Sequence, residues 1–134
     1  MEFENIIYKV DGGIATIQLN RPKALNALNS DINHDIMEAI KLVQADDSVR
    51  VLIMTGSERA FAAGADVKEM AEANPRYARE FCGLAIEINN ILESLPIPTI
   101  AAVGGFAGCA VREMIRIGMA RSVYSNEAGW GTSP

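Results

Sequence analysis

Apolar and polar positions alternate along residues 14–19, where Ala15, Ile17 and Leu19 share one face of an extended chain. Asp11-Gly12-Gly13 separates this run from a preceding mixed run, Phe3–Val10. Alternation has the period of a β-strand, and an Asp-Gly pair favours a tight turn between two strands. The pattern therefore predicts a β-hairpin at the start of the chain.

The pattern changes to a helical period after a loop that begins at Arg21-Pro22 and extends to Asn29. Apolar residues then recur every three or four positions, at Ile32, Ile36, Ile40 and Val43. This spacing predicts a helix that buries one face, with Ser30 or Asp31 as its N-cap.

An uninterrupted apolar run, Val49–Thr55, predicts a strand that is buried on both faces, as in a parallel sheet. After a loop, Gly56–Ala62, Gly64-Ala65-Asp66 leads into a short helix and Pro75 starts a longer one. The longer helix has an apolar face of Phe81, Leu84, Ile88, Leu92 and Leu95. Thr99–Val103 predicts the last strand. This order of elements predicts an α/β protein built from crossover connections.

The composition is that of a globular protein of about one domain: 134 residues, 49% hydrophobic and 22% charged. The formal net charge is -5 and the 12 basic residues are scattered, so nucleic acid is not an expected partner. The two cysteines form no CxxC pair and there is one histidine, so neither a disulfide framework nor a metal site is expected. A reducing cytoplasm is the expected location.

Neither a secretory signal nor a membrane span is expected from the sequence. The acidic start, Met1–Asn5, lacks the basic and apolar regions of a signal peptide. Ser94–Val111 carries no charge over 18 residues, but Pro96 and Pro98 near its start and several glycines further on interrupt any spanning helix. We therefore expect no membrane partner.

Several residues of types that are often catalytic or metal-binding are not expected to have such roles here, because of the residues around them. His34 shares its helix face with charged residues and is expected to be solvated. Cys82 adjoins an apolar helix stripe and Cys109 lies in a run of small residues, so both are expected to be packed thiols. The acidic pairs Asp46-Asp47 and Glu69-Glu72 are expected to be solvated helix ends.

The segment Ala60–Met70 carries the strongest chemical signal. It follows a buried strand and is rich in small residues where the chain turns into a helix. Small side chains let an acyl group approach the main chain, and unsatisfied N–H groups at a helix N-terminus favour an oxygen that gains negative charge. These are the features of an oxyanion hole. A tight strand-to-helix turn, with Gly64 supplying backbone freedom, explains the same residues without a ligand.

Three stretches of the chain resemble the enoyl-CoA hydratase/isomerase (crotonase) superfamily: Ile14–Leu28, Phe61–Met70 and Pro98–Val103. They occur in the family's order and spacing, and the resemblance covers about the first half of a typical member. It implies a truncated α/β fold of the crotonase type, a spiral of ββα turns. It also implies hydration of 2-enoyl-CoA thioesters, as in fatty-acid β-oxidation, with the thioester carbonyl oxygen held between two backbone N–H groups.

The resemblance also implies roles for individual residues. Ala63 is expected to supply the first oxyanion N–H. Four neighbours are expected to line the acyl-CoA path: Ala62, Gly64, Ala65 and Asp66. Three residues match the family stretch that lies near the CoA moiety: Lys23, Ala24 and Leu25. Coenzyme A enters only as part of the thioester substrate, and no separate cofactor or metal is implied.

The chain departs from the family pattern after Val103. The family reads N-G-F-A-L-G-G-G-C-E, whose glycines supply the second N–H and whose glutamate is catalytic, whereas residues 104–110 read G-G-F-A-G-C-A. With Gly108 aligned on the family's glycine before cysteine, Gly108 is the second donor. Ala110 then stands at the glutamate position and cannot transfer a proton. Glu113, three residues on, is a weak substitute.

The tail of the chain allows two interpretations. Residues 127–134 fit the family's second glutamate segment, E-x-G-x-G-x-x-P, which makes Glu127 the candidate acid/base residue. Residues 104–129 also resemble a segment of the sodium-coupled alanine/glycine symporters. We therefore expect a crotonase-like core over residues 1–103 and an atypical tail, helix plus loop, over residues 104–134, with a chimeric junction near Val103.

Three functions follow from these observations. The first is a 2-enoyl-CoA hydratase impaired by the missing carboxylate. The second is a non-catalytic CoA-binding or interaction module. The third is a fragment of a symporter, although transport needs spanning helices that this pattern does not predict. Family members form homo-oligomers, so a homo-oligomer is expected here.

Overall fold

The computed structural model describes residues 2–103, which form four strands and three helices. The strands are β1 (Ile6–Asp11), β2 (Ile14–Leu19), β3 (Val51–Thr55) and β4 (Thr99–Ala102). The helices are α1 (Ser30–Ala45), α2 (Val67–Ala71) and α3 (Pro75–Ser94), and a single 3-10 turn covers Pro22–Ala24. The predicted order of elements is confirmed.

The strands form one sheet in the order β1-β2-β3-β4. β1 and β2 are the predicted antiparallel hairpin, whereas β2–β3 and β3–β4 are parallel pairs. The carboxyl ends of parallel strands meet at one edge of a sheet. The first loop (residues 20–29), which follows β2, and the second loop (residues 56–66), which follows β3, therefore leave the sheet side by side.

The core lies between one face of this sheet and the helices. Ala15, Ile17 and Leu19 of β2 are at most 2% exposed and belong to the same buried cluster as the apolar stripe of α1. In β3, three consecutive residues are buried although successive side chains face opposite sides of a strand. Val51 and Ile53 belong to a second cluster, with Ala102. The prediction of a strand covered on both faces is confirmed.

Several boundaries differ from the sequence-based prediction, among them those of β1, which covers Ile6–Asp11 rather than Phe3–Val10, and the end of β4, which is Ala102 rather than Val103. The N-cap of α1 is Asn29 rather than Ser30 or Asp31, because the Asn29 side chain accepts a hydrogen bond from the Ile32 N–H at 2.9 Å. β3 begins two residues later than predicted, because the Val49 N–H donates to the Asp46 carbonyl in a turn. None of the helices within residues 2–103 is long and apolar enough to cross a membrane.

Candidate functional site

The second loop is closed on itself immediately after β3. The Ser57 N–H donates to the Ala60 carbonyl at 2.9 Å, and the Ser57 hydroxyl accepts from the Ala60 N–H at 3.2 Å. A Cβ atom at Gly56 would lie 2.4 Å from the Ala60 oxygen. Glycine is therefore required where the loop folds back.

The structure brings the two predicted ligand-binding stretches together by backbone hydrogen bonds. The Ala63 N–H donates to the Leu25 carbonyl at 3.1 Å. Further along, the Leu28 N–H donates to the Gly64 carbonyl at 2.7 Å, and the Asp66 N–H donates to the Leu28 carbonyl at 2.8 Å. Residues from the stretch expected near CoA and from the stretch expected near the acyl group thus lie side by side.

These bonds require a correction at Ala63. The predicted role needs a free Ala63 N–H, but that N–H already donates to the first loop. Among the described residues, the N–H that remains available is that of Ala65, two residues further along the chain. Leu28 forms a parallel bridge with Ala65, in which Leu28 is hydrogen-bonded to Gly64 and Asp66, the residues on either side of Ala65. In such a bridge the N–H of the central residue faces away from the partner segment. Within residues 2–103 the Ala65 N–H has no hydrogen-bond partner.

A buried asparagine and an ion pair fix the first loop against the second. Asn26 is 0% exposed; its Oδ1 accepts from the Arg21 N–H at 2.7 Å and its Nδ2 donates to the Ala60 carbonyl at 3.1 Å. The Arg21 guanidinium donates to Asp66 Oδ2 at 3.1 Å and to the Ala27 carbonyl. Asn26 has a φ of 59°, a left-handed conformation that asparagine tolerates better than most residues.

Asp66, one of the residues expected along the acyl-CoA path, makes structural contacts within the protein. Its Oδ1 caps α2, accepting from the N–H groups of Lys68 at 3.0 Å and Glu69 at 3.3 Å. The Glu69 N–H first, and then the Arg21 guanidinium, hold the pKa of Asp66 below its usual value. Asp66 is therefore ionised at neutral pH and orients the turn that contains Ala65.

Glu69 is not the solvated helix end that the sequence predicted. Its two carboxylate oxygens accept from the Ser30 N–H, at 3.2 and 3.0 Å, and so join α2 to the first turn of α1. The Ser30 hydroxyl lies 2.6 Å from the Tyr77 hydroxyl of α3. Burial, and secondarily Glu69, raise the pKa of Tyr77 above its usual value. No local signal marks this cluster, because its members lie 39 and 47 residues apart.

The remaining candidate residues divide into two groups. Among the described candidates, Lys23, Leu25, Ala63, Gly64 and Ala65 are exposed, whereas Ala24 and Ala62 are half-buried. Gly108 and Glu127 lie outside the described residues, as do Cys109 and Glu113.

His34 is exposed as predicted. The prediction of a packed thiol is wrong for Cys82, which is exposed because it adjoins the apolar stripe of α3 without belonging to it.

A cavity of about 350 Å³ lies beneath the two loops. Leu28, Phe61 and Ala62 line it from the loops, and Asn33 lines it from α1. Its remaining walls come from the ends of β2 and β3, from α3 and from β4. Most of its lining residues in the described part of the chain are apolar, and two of them, Phe61 and Ala62, belong to the second loop, which also contains Ala65.

The sequence model of the enoyl-CoA hydratase/isomerase family matches residues 9–117. The chain is 40% identical to the short-chain-enoyl-CoA hydratase of Clostridium acetobutylicum, with 100% of this chain and 54% of that protein aligned. It is 38% identical, with the same coverage, to the crotonyl-CoA hydratase of Syntrophomonas wolfei. The chain therefore belongs to the enoyl-CoA hydratase/isomerase family and spans about half the length of these curated relatives.

Solved structures confirm the predicted crotonase-type fold. The enoyl-CoA hydratase of Bacillus anthracis superposes with a TM-score of 0.72 at 32% identity, covering 78% of this chain and 41% of that one. An enoyl-CoA hydratase/isomerase of Xanthobacter autotrophicus gives a TM-score of 0.71 at 33% identity, covering 78% and 40%. The described residues thus correspond to part of the family's α/β fold.

Proposed function

We propose that the chain binds acyl-CoA thioesters and that the Ala65 N–H, rather than the Ala63 N–H, donates to the thioester carbonyl oxygen. The observation that carries this proposal is the Leu28–Ala65 bridge, which turns the Ala65 N–H away from the first loop. A fixed N–H aimed at an oxygen that becomes negative lowers the barrier to enolate formation, by about 3 kcal/mol per donor. Gly108 is the proposed second donor.

Coenzyme A is proposed to lie along the first loop. Lys23 and Ala24 directly precede Leu25, whose carbonyl pairs with the second loop, and Lys23 is exposed. An exposed ammonium group is a suitable partner for a CoA phosphate. The thioester carbonyl and the CoA portion of one ligand would then contact adjacent loops.

The proposed reaction is hydration of a 2-enoyl-CoA to a 3-hydroxyacyl-CoA, in keeping with the names of the two hydratase relatives. Hydration needs one group to activate water and one to deliver a proton to the neighbouring carbon. Glu127 is the proposed acid/base residue, and Ala110 occupies the other expected position. We therefore propose that turnover by this chain is slow.

The alanine at position 110 favours a second candidate function, a non-catalytic CoA-binding module. Such a module would need the two loops but neither carboxylate.

The expected homo-oligomer and the expected cytoplasmic location stay predictions. So does the symporter resemblance of the tail, although both hydratase relatives align with all of the chain and the family match extends beyond Val103.

Crotonyl-CoA hydration measured beside butyryl-CoA binding separates the two functions. The hydratase proposal predicts binding together with turnover at least ~10²-fold below that of a complete family member, because one acid/base group is missing. Glu127→Gln is expected to abolish this residual turnover and leave binding intact. Binding without any turnover indicates the non-catalytic module, and absence of binding contradicts both functions.

A further inference from the structure

Glu69 closes a short ring of contacts around the segment that contains Ala65. Both carboxylate oxygens of Glu69 accept from the Ser30 N–H, at 3.2 and 3.0 Å. Ser30 follows Leu28 by two residues, and Glu69 follows Ala65 by four. Because Leu28 also bridges Ala65, the two segments are crosslinked at both ends. The backbone that carries the Ala65 N–H is therefore held by both crosslinks.

The Ser30 N–H is a donor that α1 cannot satisfy by itself. Ser30 is the first residue of α1, and the first N–H groups of a helix have no partner within that helix. The side chain of the N-cap, Asn29, accepts from the Ile32 N–H instead. Among residues 2–103, the Ser30 N–H bonds only to Glu69. A carboxylate at the positive end of a helix is a favourable acceptor, so the contact has a clear physical basis.

α2 depends on such a contact because it is short and little buried. It covers five residues, Val67–Ala71, none of which is buried. A helix of this length is not stable alone, and little packing is available to orient it. Asp66 fixes its start through the cap and the ion pair with Arg21. Within the described part of the chain, Glu69 is the one residue of α2 whose side chain bonds to another element.

We propose that Glu69 is a positioning residue, which aims the Ala65 N–H at the thioester carbonyl oxygen by tying α2 to the first turn of α1. This inference rests on the proposed function of Ala65. A hydrogen bond weakens steeply when its donor and acceptor are misaligned, and a donor stabilises a developing negative charge most when it is already in place. Loss of the Glu69 contact should therefore weaken the interaction with the carbonyl oxygen and leave the other contacts of the ligand unchanged.

Two ligands isolate the contribution of the carbonyl oxygen. Hexanoyl-CoA is compared with S-hexyl-CoA, the thioether in which a CH₂ group replaces the carbonyl. Calorimetry gives the Kd of each ligand, and the ratio of the two Kd values is the carbonyl preference of the protein. Contacts that the two ligands share, those of the CoA portion and of the alkyl chain, cancel in this ratio.

Ser30→Pro tests the donor side of the contact. Proline lacks the N–H and is well tolerated at the first position of a helix. The preceding residue, Asn29, already has the extended conformation that a following proline requires, with a ψ of 179°. Ser30→Ala is the reference, because both variants lose the hydroxyl that contacts Tyr77 and only Ser30→Pro loses the N–H.

Glu69→Ala tests the acceptor side of the contact, with Glu72→Ala as its control. Glu72 is exposed and directly follows α2, so the control loses a neighbouring carboxylate and keeps the contact with Ser30. The double variant Ser30→Pro/Glu69→Ala should have the carbonyl preference of the single variants, because both changes remove the same contact.

We expect the carbonyl preference to fall by about twofold to tenfold in Ser30→Pro relative to Ser30→Ala, the value of one hydrogen bond. Glu69→Ala should show a similar fall relative to Glu72→Ala. The Kd of S-hexyl-CoA should not differ within either pair of variants, which separates positioning from a general loss of structure. Coupling is reciprocal, so in the native chain saturating hexanoyl-CoA should slow hydrogen exchange of the Ser30 amide more than saturating S-hexyl-CoA does. This last measurement needs no variant to fold.

Equal carbonyl preferences within either pair of variants, or equal effects of the two ligands on Ser30 exchange, overturn the inference and leave the carbonyl preference of the native chain standing. If the native chain has no carbonyl preference, the proposed role of Ala65 fails and this inference with it. If neither ligand binds better than CoA alone, the proposed binding of acyl thioesters fails as well.

Discussion

Arg21 and Asp66 lie 45 residues apart and form an ion pair in which Nη2 and Oδ2 are 3.1 Å apart. Each side chain is less than a fifth exposed, so the pair is partly protected from solvent. The pair joins the loop after β2 to the turn that contains Ala65. The pair is thus one of several contacts that hold the first loop, which includes the stretch expected near CoA, against the second loop.

Asp66 makes stability depend on pH in a defined direction. Its pKa is lower in the folded chain than the usual value of about 4. Its charged form therefore stabilises the fold at neutral pH, and that contribution is lost as the pH falls below about 4. Asp66→Asn keeps a capping oxygen but removes the charge. Urea unfolding should show the variant less stable at pH 7, with the difference shrinking as the pH falls below 4; a difference independent of pH would contradict the assignment.

Asn26 should be among the residues whose loss destabilises the described fold most. Asn26→Ala leaves the Arg21 N–H and the Ala60 carbonyl without their hydrogen-bond partner. It also places alanine in a left-handed backbone conformation, which alanine adopts less readily than asparagine. We expect a loss on the order of 3 kcal/mol in the free energy of unfolding. Asn90→Ala, at an exposed position, should change it by less than about 0.5 kcal/mol. Similar unfolding midpoints for the two variants would show that the loops are not held by Asn26.

Glu69 and Glu72 offer a matched pair for testing how α2 is held. Glu69→Gln weakens the acceptor for the Ser30 N–H and removes one cause of the raised pKa of Tyr77. Spectrophotometric titration of the tyrosines should then show the Tyr77 pKa falling towards its usual value without reaching it, because burial is the larger cause. Glu72 is exposed, and Glu72→Gln should leave the titration unchanged. Identical titrations in both variants would contradict the proposed contact.

The periodic parts of the sequence predicted the fold well. Three patterns indicated buried faces correctly, because such patterns are local properties of the chain. They are the alternation over residues 14–19, the helical spacing from Ile32 to Val43 and the apolar run that ends at Thr55. The caps and strand ends were less accurate. Asn29, for example, competes with Ser30 and Asp31 as a cap, and only the geometry of the turn decides among them.

The site was predictable only in part, because its details depend on pairing between distant loops. The small-residue segment after β3 indicated an oxyanion site, yet which N–H remains free depends on the bridge between Leu28 and Ala65. The family resemblance implied Ala63 as the donor, and nothing local in the sequence shows that the Leu25 carbonyl already accepts its N–H. The contact between Glu69 and Ser30 was missed because its partners are also distant in sequence.

The most direct test of the account compares two backbone amides in one spectrum. The ¹⁵N-labelled chain is titrated with hexanoyl-CoA and, separately, with CoA alone. If Ala65 donates to the thioester oxygen, its amide proton should shift downfield with hexanoyl-CoA only, while the Ala63 amide, held by the Leu25 carbonyl, should move little with either ligand. A thioester-dependent shift at Ala63 with none at Ala65 would contradict the central claim.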